Sequence, residues 1–70
     1  MLKMKKNTIY RFMCPDDLAD FYVEKYGLRK FSRVLCLGEI KNKPGYYVFA
    51  NQSGRVIWDL DGHDFEPLDA

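Results

Sequence analysis

Long apolar runs are missing from this chain. None approaches the ~20 residues that a membrane-spanning helix needs. The basic stretch at residues 1–6 is followed by no signal-peptide core, so a cytoplasmic, reducing setting is expected. Met4 is an alternative translation start, which would leave residues 1–3 dispensable. Cysteine is scarce: Cys14 and Cys36 permit one internal disulfide, too few for a disulfide scaffold. Histidine is scarcer, with His63 alone. There is no P-loop, no G-x-G-x-x-G and no G-x-S-x-G. No motif implies a cofactor or a metal, and an enzyme is the least supported class.

Seventy residues make one small domain. A chain this short buries only ~60% of its unfolded surface and is marginal without help. Aromatic residues supply that help at 16% of the chain. Each one that is buried removes ~150–250 Å² from water. Pairing with a second copy is the other available source of stability.

The formal charge is +1, unevenly spread. Residues 1–43 carry +5 and residues 44–70 carry −4. Such a split gives one small domain two electrostatic ends.

Residues 8–13 (TIYRFM) read as a strand, rich in β-branched and aromatic types. Cys14-Pro15-Asp16-Asp17 reads as a helix start, with Pro15 at the first helical position and both aspartates near the positive end of the dipole. The helix is expected to run to Tyr26, with Gly27 after its end. Leu18, Phe21, Tyr22 and Tyr26 form its apolar stripe. Residues 31–37 form a second strand, extensible to Ile40, with Gly38 marking a bulge. Lys43-Pro44-Gly45-Tyr46 fits a type II turn. Residues 46–50 and 55–60 then pair as a hairpin across Asn51-Gln52-Ser53-Gly54, which suits a type I turn. The expected object is an α+β two-layer sandwich in β-α-β-β-β order, with one helix on a mainly antiparallel sheet of three or four strands. The first strand is free to join either edge. Residues 1–7 are expected to be a flexible basic N-terminus, and residues 61–70 an acidic loop and tail.

Strict alternation places Val56, Trp58 and Leu60 on one sheet face and Arg55, Ile57 and Asp59 on the other. The third strand splits into Tyr46, Val48 and Ala50 against Tyr47 and Phe49, both sets apolar. One helix cannot cover both faces, and uncovered apolar surface marks a partner site. The leading expectation is therefore a non-enzymatic protein-interaction module. An inhibitor or adaptor fits, of the type found among phage and mobile-element accessory proteins. Its expected contacts are Tyr47, Phe49 and Trp58, with the acidic Asp59, Asp61 and Asp64 beside them. If Tyr47 and Phe49 prove buried, the face with Val56 and Trp58 becomes the candidate. The alternative is a nucleic-acid-binding module using Arg29, Lys30, Arg33, Lys41 and Lys43. Residues 43–49 share the basic-Gly-aromatic order of an RNP1 strand, but Pro44 breaks its spacing.

Two further constellations read as structural. DLDGHDFE at residues 59–66 has the oxygens of a calcium loop, but its Gly arrives two places early and position 12 is Ala70. It reads as a solvated turn. Cys14 precedes a helix N-terminus that would lower its pKa, while Cys36 lies in an apolar strand and reads as inert.

Overall fold

Local turn chemistry sets the chain's course. The computed structural model describes residues 4–68. Residues 1–3 and the last two residues of the acidic tail lie outside the described residues. Strand β1 (Ile9–Phe12) is followed by a 3-10 turn at Asp16–Leu18 and helix α1 (Ala19–Tyr26). Strands β2 (Arg33–Glu39), β3 (Tyr46–Ala50) and β4 (Val56–Asp61) come next. A second 3-10 turn, Gly62–Asp64, leads into β5 (Phe65–Pro67). The result is a small α+β fold, one helix against a five-stranded antiparallel sheet of order β4-β3-β2-β1-β5.

The Lys43–Tyr46 turn closes with the Tyr46 amide donating to the Lys43 carbonyl at 3.0 Å, and Gly45 has the positive φ of 85° that a type II turn requires. At the β3–β4 turn the Gly54 amide donates to the Asn51 carbonyl at 3.0 Å. The Asn51 Oδ1 accepts from Ser53 N, Ser53 Oγ and Arg55 N, so one side chain organises the whole connection. Gly27 ends α1 in the left-handed conformation, its amide donating to the Tyr22 and Val23 carbonyls.

Several expectations need correction. Pro15 stands outside the helical turn as its cap, and the first turn is 3-10 rather than α. Phe31 is not in β2; it adopts φ 70° and donates its amide to the Phe12 carbonyl at 2.7 Å. Residues 4–7 are tied down: the Met4 amide donates to Tyr47 Oη, the Lys5 amide to Tyr10 Oη and the Asn7 amide to the Cys36 carbonyl. Phe65–Pro67, expected as acidic loop, pairs with β1 as a fifth strand. That pairing needs a distant partner, so its signal is not local.

Two bulges overturn simple alternation. The β2–β3 register shifts between Cys36 and Gly38, where a bulge was expected. The β3–β4 register shifts between Tyr47 and Phe49, and Asp59 takes φ 66°. This second bulge sets Trp58 and Asp59 together against Val48. Ile57 and Leu60 consequently both face inward, and Leu60 leaves the face it was assigned with Val56 and Trp58.

The inner face holds the core. Phe12, Phe49, Val34, Cys36 and Leu28 are fully enclosed. The sheet curls without closing, so that Phe65 at one edge stacks on Phe49 with ring centroids 4.1 Å apart. Helix α1 contributes no fully buried residue; half-buried Tyr22 and Tyr26 lean on this core. Tyr22 meets the Phe12 ring edge-on at 4.9 Å. Arg55 Nη2 donates to the Lys25 carbonyl at 2.8 Å and ties the helix end to the β3–β4 turn. No helix among the described residues is long and apolar enough to cross a membrane.

Candidate functional site

Residues paired across a sheet point to the same face. Ile9, Leu35, Ala50 and Val56 are register partners from β1 through β4. They form one row across the outer face, opposite the core. Val48 and Trp58 continue the apolar surface beyond that row. Trp58 is 64% exposed, Val56 48% and Ile9 41%. Among the described residues Trp58 is the most exposed of the large hydrophobic side chains. The helix lies on the inner side, so it leaves this face uncovered.

Basic side chains border one end of the row. Arg11 lies opposite Arg33 on β2 and Glu66 on β5. Arg11 Nη1 pairs with Glu66 Oε1 at 3.1 Å. Arg33 is exposed and has no ion-pair partner among the described residues. At the other end, Lys43 Nζ pairs with Asp59 Oδ1 at 3.0 Å and sits 5.1 Å above the exposed Tyr46 ring.

The expected site residues separate. Tyr47 and Phe49 are 3% and 0% exposed. Both are core residues, so the expectation that they line an open aromatic face is corrected. Register explains it: Tyr47 pairs with Leu60, and Phe49 with Cys36 and Ile57, all inward. Trp58 remains outside, which makes its face the candidate. The three acidic residues have separate partners. Asp59 is held by Lys43, Asp61 Oδ1 accepts the His63 amide at 2.9 Å, and Asp64 interacts electrostatically with the Tyr22 hydroxyl. Ile9 and Leu35 were missed, although the alternation of Ile9 and Arg11 against Tyr10 and Phe12 carried the signal for β1.

The basic residues also separate. Arg29 and Arg33 border a shallow cleft of about 260 Å³ with Ser32, Asn51 and Ser53. Lys30 pairs with Asp16 at 3.3 Å. Lys41 and Lys43 flank the far end of β2, roughly 20 Å from Arg33 at the usual strand rise.

The thiols are free and buried. Burial raises the Cys14 pKa above its ordinary value, and the carboxylates of Asp64, Asp16 and Asp17 add to it. This reverses the lowering expected from a helix start, because the first turn is a short 3-10 segment rich in acids. Burial likewise raises Cys36. Among the described residues no three His, Cys, Asp or Glu side chains gather as a metal cluster. Comparison with protein-family models, with curated proteins and with solved structures finds no match.

Proposed function

We propose that this chain is a protein-interaction module, an inhibitor or adaptor, that docks its partner on the outer sheet face around Trp58. The observation that carries this reading is the 64% exposure of Trp58 within an apolar row reaching Ile9. Exposed tryptophan beside aliphatic neighbours is the composition of an interface hot spot. Arg33 stands beside the row without an ionic partner among the described residues, so the fitting surface is apolar with a carboxylate placed to meet it.

Edge pairing is the less suited mode. Edge strand β5 is three residues long and ends in Pro67. Edge strand β4 is bulged at Asp59, which carries a charge and a salt bridge. Both are devices that discourage strand addition. The face is left as the available docking surface.

The test is photo-crosslinking in the native host, with a photoreactive residue replacing Trp58 and, as control, Asp20 on α1. The expected result is a discrete heteromeric adduct from position 58 alone, lost when Arg33→Glu is added. Equal adducts from both positions, no adduct, or an adduct of two copies of this chain would each overturn the reading.

A further inference from the structure

We propose that the inner end of the sheet holds a binding site for a small apolar carboxylate. A half-open cavity of about 580 Å³ lies there, distinct from the outer face. That volume is in the range of small-molecule sites. Its walls include Met4, Tyr10, Tyr47 and Phe65, with Lys5 and His63 among the polar lining.

The two tyrosine hydroxyls decide the ligand chemistry. Tyr10 and Tyr47 are 5% and 3% exposed. Tyr47 Oη accepts the Met4 amide at 3.1 Å, and Tyr10 Oη accepts the Lys5 amide at 2.7 Å. Those amides are consecutive, so both hydroxyls are drawn to one short stretch of backbone. Each hydroxyl still has its own proton to donate. No acceptor for either proton exists among the described residues. Both protons are therefore available to a group bound in the cavity. The exposed Lys5 ammonium adds positive charge, and no described lining residue is acidic. Asp61, which precedes Gly62, is turned to the His63 amide. Two O–H donors and an ammonium above apolar walls match a carboxylate on an aryl or short alkyl body.

The geometry of Gly62 maintains this space. A Cβ placed on Gly62 would lie 2.7 Å from Tyr47 Cε1 and 3.0 Å from Met4 Sδ. The bare glycine lets the tyrosine ring stand where its hydroxyl meets the Met4 amide.

The experiment is an amide-shift titration of the full chain with 4-phenylbutyrate and, in parallel, 4-phenylbutanol. The acid is expected to shift Met4, Lys5, Gly62 and His63 saturably, with the alcohol about tenfold weaker. Lys5→Gln, at an exposed position, is expected to weaken the acid roughly three- to tenfold, and Tyr47→Phe by a similar factor. No saturation by the acid, equal binding of acid and alcohol, or unchanged affinity in Lys5→Gln would overturn the proposal.

Discussion

The Asp64 carboxylate interacts electrostatically with the Tyr22 hydroxyl of helix α1. Burial raises its pKa above the ordinary carboxylate value, and Asp61 adds repulsion, against the opposing pull of His63 and Tyr22. Burial and the Asp64 charge raise Tyr22 in turn. The folded chain therefore holds the Asp64 proton more tightly than the unfolded chain does. The stability tied to the neutral acid is complete below the ordinary carboxylate range and falls as pH rises through the folded pKa. Asp64→Asn is expected to melt above the parent near neutral pH and to converge with it at about pH 3. Thermal melts across that range check it; a variant less stable at neutral pH contradicts it. Gly62 offers a second residue-scale test. Because an added Cβ would press into the buried Tyr47 ring, Gly62→Ala is expected to cost about 1–3 kcal/mol, read from the urea midpoint. An unchanged midpoint would show that the ring moves freely.

At the scale of elements, turns were legible and faces were not. Pro44-Gly45, Asn51–Gly54 and Gly27 act through their own φ values and nearest hydrogen bonds, so their roles are written locally. The bulge at Asp59 is set by the pairing of β3 with β4, and it moves Leu60 from one face to the other. Strand β5 owes its existence to β1, with Arg11 and Glu66 55 residues apart in sequence, and three residues are too few to show a period. Those nonlocal causes hid Tyr47 and Phe49 in the core while leaving Trp58 outside. Trp58 was legible as a site candidate because aromatic excess on the last hairpin is visible in the sequence. Deleting Asp59 would remove the extra residue, leaving Trp58 alone opposite Val48 and Leu60 still inward opposite Tyr47. The deletion variant is expected to keep a cooperative unfolding transition, read from urea melts; loss of that transition would mean that the β3–β4 pairing depends on the bulge itself.

At the scale of the whole molecule, the helix and both curled edges serve one side of the sheet. The other side keeps an apolar row from Ile9 to Trp58, with Arg33 at its border. The split of charge along the sequence does not become two free charged arms. Asp59, Asp61 and Asp64 are engaged within the fold, as are Lys30 and Lys43. Arg33 is the exception that matters for docking. Trp58 is also the only tryptophan, so its emission reports directly on that face. The most direct measurement is the affinity of Trp58→Ala for the partner captured at position 58, taken alongside its melting curve. The account predicts affinity at least about tenfold weaker, as for a hot-spot aromatic, with the melting temperature unchanged. Affinity equal to the parent's in a folded variant would contradict it.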